Sequence, residues 1–270
     1  MSNQSPSPAA STPVRVDRRD GVVLLTLALP ERRNAMTGEL TSAFAATVDS
    51  LRGDRTVRSV VVTGEGKAFC AGGDLSWIAE SPDLSVDAIR DRMLPFYRTW
   101  LSIRDLDVPS IAAINGPAVG AGLCLALACD IRYAARGARM SAPFTQLGMH
   151  AGMAATYLLP EAVGLAAARD LLFTGRAVEG DEALRLGLVS AVYDADELLD
   201  AALAAASRIA AAGPIATRLT KAGLRNGGHA SVEDALQYEA LAQPVTFATD
   251  DLREGLAASK EKRPANFKGK

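Results

Sequence analysis

Two glycine-rich turns, each leaving an apolar run, constrain this chain more than any other feature. The first is Gly64-Glu65-Gly66-Lys67-Ala68-Phe69-Cys70-Ala71-Gly72-Gly73-Asp74-Leu75, after the β-branched run Val57 to Thr63. The second is Ile114-Asn115-Gly116-Pro117-Ala118-Val119-Gly120-Ala121-Gly122, after the apolar run Val108 to Ile114. It leads directly into Leu123-Cys124-Leu125-Ala126. Small residues let a backbone come close to a ligand and leave its N–H groups free to point at it. Lying side by side, two such turns can aim two N–H donors at one oxygen, the arrangement of an oxyanion hole.

The segments around these turns alternate strand and helix. Val14 to Leu29 reads as a hairpin about Asp20-Gly21. Thr37 to Leu51 has helical spacing, with Thr37 as cap and Glu39 in the first turn. Ser85 to Asp105 reads as a charged amphipathic helix, and Ile131 to Ala134 as a strand. Gly122 to Cys129 is apolar all round, which predicts a buried helix. Alternation of this kind predicts an α/β fold of stacked βαβ units. From Asp194 onward the pattern is helical: Ala201 to Ala212, Ile215 to Arg225, Ser231 to Gln243 and Asp250 to Ser259. The chain therefore divides into a tail over 1–13, a core over 14–195 and a helical region over 196–270. That last region is either a substrate lid or an oligomerisation surface. The tail is rich in Ser, Pro and Ala and is expected to be disordered.

Composition excludes several classes. The 270 residues are 49% hydrophobic and carry a net charge of −2, with no basic block for nucleic acid or an anionic membrane. The strongest apolar run, Ala118 to Cys129, is too short to cross a bilayer. No secretory pattern opens the chain, and Cys70, Cys124 and Cys129 fit a reducing compartment, so a cytoplasmic protein is expected. With two histidines and no His/Cys cluster, no catalytic metal is expected. Gly66-Lys67 has Val61 where a phosphate loop needs glycine, and Gly64-Glu65-Gly66 has Phe69 where a dinucleotide fingerprint needs one. A Gly-x-Ser-x-Gly nucleophile elbow is absent.

Together the turns and their neighbours resemble the crotonase, or enoyl-CoA hydratase/isomerase, superfamily. The matching stretches are Phe69 to Leu75, Asn115 to Gly122 with Ala128-Cys129-Asp130-Ile131, and Arg33-Asn34-Ala35-Met36. Thr174-Gly175-Arg176, Ala183 to Val189, Glu254-Gly255-Leu256 and Glu261-Lys262-Arg263-Pro264 with Phe267 extend the likeness to nearly the whole chain. The resemblance implies an α/β spiral with a helical C-terminal trimerisation region, assembled as a homotrimer or a dimer of trimers. It implies an acyl-CoA thioester as substrate, with no cofactor beyond the coenzyme A that the substrate carries. By the same resemblance, Gly73 and Ala121 supply the oxyanion N–H groups. Backbone around Glu31, Arg32, Arg33 and Ala35 holds the CoA. Ala71, Asp74, Leu75, Cys124 and Phe144 belong to the substrate site. An N–H at a helix start, as at Ala121, has no partner in its own helix and favours developing negative charge.

One departure from the family pattern bears on mechanism. Hydratases of the family activate water with two glutamates. One lies two residues past the small triplet, where this chain has Cys124; the other lies in a Pro-Glu pair before Leu-Gly, where it has Phe144. Cys124 reads as a small buried hydrophobe and Phe144 as a pocket wall. His150, in Leu147-Gly148-Met149-His150, is either a general acid or base or a hydrogen-bonded structural residue. Asp74 and Asp130 read as caps, His229 as a surface-loop residue, and Tyr157 and Glu161 as packing or solvent-facing helix residues. The resemblance implies an enoyl-CoA hydratase or isomerase that works through an enolate of its acyl-CoA, and the missing glutamates imply slow hydration. The alternatives are another enolate reaction such as decarboxylation, or a non-catalytic acyl-CoA-binding homologue.

Overall fold

A computed structural model describes residues 12–74, 76, 79, 84–225, 228 and 230–270. Its main sheet has six strands: β1 (Val14–Arg19), β2 (Val22–Leu27), β3 (Ser59–Gly64), β4 (Ser110–Ile114), β6 (Ile131–Ala135) and β9 (Ala191–Tyr193), in that order. Only the β1–β2 pair is antiparallel. Asp20 and Gly21 join those two strands with φ of 50° and 81°, the left-handed pair that a two-residue hairpin turn requires. The central strands β3 and β4 are buried at every residue, as a sheet covered on both faces demands. A smaller sheet holds β5 (Ala118–Val119), β7 (Arg139–Ser141) and β8 (Val178–Glu179).

Helices cover both faces. α1 (Gly38–Leu51) is capped by Thr37, whose Oγ1 accepts the Leu40 N–H at 3.2 Å. It buries Leu40, Phe44, Val48 and Leu51, one stripe at helical spacing. Phe44 stacks on Trp100 of α2 (Val86–Leu101), with ring centroids 4.4 Å apart. The Trp100 indole N–H donates to Thr41 Oγ1 at 3.1 Å, so the buried ring has its polar partner. Burying a side chain of Phe44's size contributes about 1.5–3 kcal/mol. This contact fixes α2 against α1. α3 (Ala121–Ala128) is buried at every residue. α4 (Ala155–Thr174) is broken at Gly164, and α5 (Gly180–Arg185) follows β8. α6 (Leu198–Ala210) lays Ala202, Ala205 and Ala206 on the sheet, and Ser59 Oγ donates to Ala206 O at 2.9 Å. α7 (Pro214–Leu224), α8 (Val232–Phe247) and α9 (Asp250–Glu261) complete the chain.

The α/β class and the C-terminal helices agree with the sequence reading. Some boundaries move for identifiable reasons. β3 starts at Ser59, because the Val57 N–H closes a turn onto Asp54 O at 3.2 Å. Pro13, assigned to the tail, already belongs to the sheet edge: its carbonyl accepts the Ala28 N–H at 2.7 Å. Residues 1–11, Leu75 and His229 lie outside the described residues.

Candidate active site

The two turns are joined to each other by hydrogen bonds. The Cys70 N–H donates to Pro117 O at 3.1 Å, and the Val119 N–H donates to Cys70 O at 3.0 Å. Glycine is required where they touch. Gly72 has φ of 97°, and a Cβ there would lie 2.5 Å from Val119 O. A Cβ on Gly122 would lie 2.1 Å from Cys70 O. The first turn is pinned from below by Asn34, which is fully buried with φ of 55°. Its Nδ2 donates to Ala68 O at 2.8 Å and Glu65 O at 3.0 Å, while its Oδ1 accepts the Leu29 N–H at 2.9 Å. Asn115 pins it from the second turn, accepting the Gly64 N–H at 3.1 Å and donating to Gly66 O at 3.0 Å.

Gly73 and Ala121 face the same cavity, of about 890 Å³. Ala121 is the first residue of α3, so its N–H has no partner within the helix. Among the described residues, no backbone bond outside the regular elements uses the Gly73 or Ala121 N–H. Ala71, Asp74, Phe144 and His150 also line the cavity. Cys124 does not. It is 1% exposed, its Sγ lies 3.7 Å from Gly152 O, and burial pushes its thiol up to about 12. That placement matches the reading of a small buried hydrophobe and removes Cys124 from the cavity surface.

Glu31, Arg32, Arg33 and Ala35 stand beside the cavity rather than on its wall. They are tied to its edge. The Ala71 N–H donates to Arg33 O at 3.0 Å, the Met36 N–H donates to Gly72 O at 2.8 Å, and Arg32 pairs with Asp74 at 3.1 Å. Asp74 also caps its own turn, accepting the Ser76 N–H and O–H at 3.1 and 2.8 Å. Its hydrogen bond from the Ser76 hydroxyl, with that of Arg32, holds its carboxyl below the usual range against some burial. His150 is exposed, with Nδ1 2.7 Å from Ala151 O. Asp130 does not cap a helix. Its Oδ2 accepts from the Ser110 N–H and O–H at 2.7 and 2.9 Å and from Lys221 Nζ at 2.8 Å, joining β4 to α7. Tyr157 and Glu161 clamp Arg104, one by its ring at 5.8 Å and the other by two bonds at 3.1 Å.

One polar residue on the cavity wall carries no signal in the sequence. Tyr97 lines it from α2. Burial pushes its phenol above the ordinary tyrosine value, nearby Cys124 adds to this, and a backbone hydrogen bond at Met153 opposes it. In sequence Tyr97 sits in a charged helix outside both turns, and tertiary packing such as that of Trp100 on Phe44 and Thr41 holds that helix by the cavity.

The fold is an α/β scaffold in which this pair of joined turns borders one cavity. The chain matches the family described as enoyl-CoA hydratase/isomerase over residues 17–270. It is 36% identical over 254 residues to the mitochondrial methylglutaconyl-CoA hydratase of Mus musculus, covering 92% of this chain and 80% of that protein. A crystal structure of enoyl-CoA hydratase from Bacillus anthracis superposes with a TM-score of 0.90 at 35% identity, covering 96% of this chain and all of that one. An enoyl-CoA hydratase from Polaromonas sp. JS666 gives 0.88 at 29% identity, over 94% of this chain and 99% of that one. The protein belongs to the enoyl-CoA hydratase/isomerase family, the crotonase superfamily, and is an enzyme of that family.

Proposed function

We propose that the protein binds an acyl-CoA thioester with its carbonyl oxygen between the N–H groups of Gly73 and Ala121, and stabilises the enolate formed there. The observation that supports this reading is the joined pair of turns, on which Gly73 and Ala121 line one cavity. Two N–H groups aimed at an oxygen do most when charge develops on it, as it does in an enolate. The CoA portion runs along the rim segment Glu31 to Ala35, a reading supported by the exposure of Arg32 and Arg33 beside the cavity. The carboxylate pair that activates water in the family's hydratases has no counterpart at Cys124 and Phe144. Reactions that pass through the enolate without a strong carboxylate base, decarboxylation among them, therefore fit the site better than fast hydration.

The exposed apolar side chains Val232, Leu236, Leu241 and Val245 of α8 and Leu256 of α9 support a trimeric assembly through this helical region. Light scattering at micromolar concentration is expected to give three or six times the chain mass; a monomer would contradict this part of the proposal.

The chemical reading is tested by turnover on a panel of enoyl-CoA and carboxyacyl-CoA thioesters, beside Ala121→Pro. Proline removes the N–H yet is favoured at the first position of a helix. The Gly120 before it lacks the Cβ that would restrict the step. Loss of thioester turnover in a folded variant is expected. Equal kinetics in both proteins would overturn the assignment of Ala121.

A further inference from the structure

We propose that Tyr97 is the proton donor of this site: its phenol O–H delivers a proton to the α-carbon of the enolate held at Gly73 and Ala121. The inference rests on the enolate reading above and adds the acid that reading lacks. Three observations carry it. Tyr97 shares the wall of one cavity with Gly73 and Ala121, so all three residues border one space. Its hydroxyl is held against the loop that closes over Cys124: a Cβ on Gly152 would lie 2.6 Å from Tyr97 Oη, and Gly152 O is the neighbour of Cys124 Sγ at 3.7 Å. The phenol thus reaches the neighbourhood of the position where the family's glutamate is missing, from a different helix. Among the described residues its hydroxyl donates to the weak acceptor Met93 Sδ at 3.8 Å, a bond that a stronger acceptor can replace.

The remaining candidates are less well placed. Cys124 is enclosed, Phe144 has no proton to give, and His150 stands exposed with Nδ1 on Ala151 O. A phenol is protonated at neutral pH already, and burial pushes it further in that direction. A phenol is also a far stronger acid than the α-carbon of a thioester, so the transfer runs downhill.

The step balances in either reaction. In decarboxylation the bond to the departing carboxylate breaks and carbon dioxide leaves. The pair becomes the enolate, the α-carbon takes the phenol proton, and the tyrosinate is reprotonated by solvent. In hydration the oxygen of water bonds to the β-carbon and the π pair moves onto the thioester oxygen. The α-carbon then takes the phenol proton, and the tyrosinate recovers the proton that the added water releases.

The test compares wild type, Tyr97→Phe, Gly152→Ala and Cys124→Ala on the panel thioester that the wild type turns over fastest, with products analysed by NMR after reaction in D2O. Tyr97→Phe should lower kcat by about 100-fold or more and change KM little, the size typical of a lost acid. Its residual product should carry α-deuterium on both faces, where the wild type places it on one. Gly152→Ala keeps the phenol but pushes it off its position, so kcat should fall there too. Cys124→Ala should keep most activity. Tyr97→Phe with near wild-type kcat and one-sided labelling would overturn the role of Tyr97 and leave the enolate reading intact. Binding of acetoacetyl-CoA separates the two ideas: the wild type and Tyr97→Phe should bind it alike, and Ala121→Pro should not. A wild type that neither binds nor converts any thioester would overturn both.

Discussion

Two cavities among the described residues are of similar size and opposite character. One, about 890 Å³, lies between the glycine turns, α2 and the segment around His150. The other, about 840 Å³, lies between the sheet edge and α6 and α7, and is lined by Arg104, Asp130, Arg132, Glu161 and Lys221. By charge alone this other cavity would be the reactive one. Yet Lys221 pairs with Asp130 at 2.8 Å and Arg104 with Glu161 at 3.1 Å. Arg132 donates to Leu188 O at 2.7 Å and Cys129 O at 3.0 Å. Those groups hold α7, β4 and β6 in place. The cavity at the glycine turns has fewer charges, and there the proposed ligand contacts are two backbone N–H groups and the phenol of Tyr97. What a cavity can do is set by the polar groups its own fold leaves unmet.

That contrast can be broken by mutation. The largest effect belongs to Ala121→Pro, which should lower kcat/KM by about 100- to 1,000-fold, the usual cost of one oxyanion donor. Its melting temperature should move little. Lys221→Met in the charged cavity should do the opposite. It should lower stability by roughly 2 kcal/mol in denaturant unfolding, below the about 3–5 of a fully buried pair because Asp130 is partly exposed and keeps Ser110. Catalysis by the folded fraction should be unchanged, and an activity loss matching that of Ala121→Pro would erase the distinction.

Gly72→Ala should act on both properties at once. It forces a left-handed backbone on alanine and sets a Cβ against Val119 O. A cost of about 1–3 kcal/mol and a clear loss of turnover are expected. His150→Ala should reduce turnover less than Tyr97→Phe, about tenfold or under, since its ring is exposed. The reverse order in side-by-side kinetics would move the proton chemistry to the imidazole.

At neutral pH the smallest effect is that of the thiols. Burial pushes Cys70, Cys124 and Cys129 each up to about 12. The folded state then keeps protons that the unfolded chain releases from about pH 8.5 upward. Stability should therefore be insensitive to these thiols at neutral pH and fall as pH rises through 9 toward 12. Iodoacetamide at pH 8 should label none of the three in the native protein and all of them in urea. Fast native labelling of Cys124 would show it to be open to the cavity.

Much of the fold and of the site is legible in the sequence itself. The two turns, the capped helix at Thr37, the buried helix after Gly120 and the missing glutamates are all local patterns, written in consecutive residues. Tyr97 and Asn34 are harder for the same reason. The role of Asn34 depends on carbonyls at Glu65 and Ala68, and that of Tyr97 on how Trp100 packs against Phe44. The small sheet leaves no sequence pattern because β5 and β8 have only two residues each, too short for any periodicity. The break in α4 at Gly164, with φ of 74°, likewise splits a segment whose apolar residues follow no single stripe.

The central claim is that one thioester oxygen is held by the N–H groups of Gly73 and Ala121. Isotope-edited infrared spectroscopy of an acyl-CoA labelled with carbon-13 at the carbonyl observes that bond directly. On binding to the wild type the carbonyl stretch should move to lower frequency, and Ala121→Pro should lose most of the shift. A bound carbonyl that vibrates as it does in free solution, or a shift that survives the removal of the Ala121 N–H, would contradict the account.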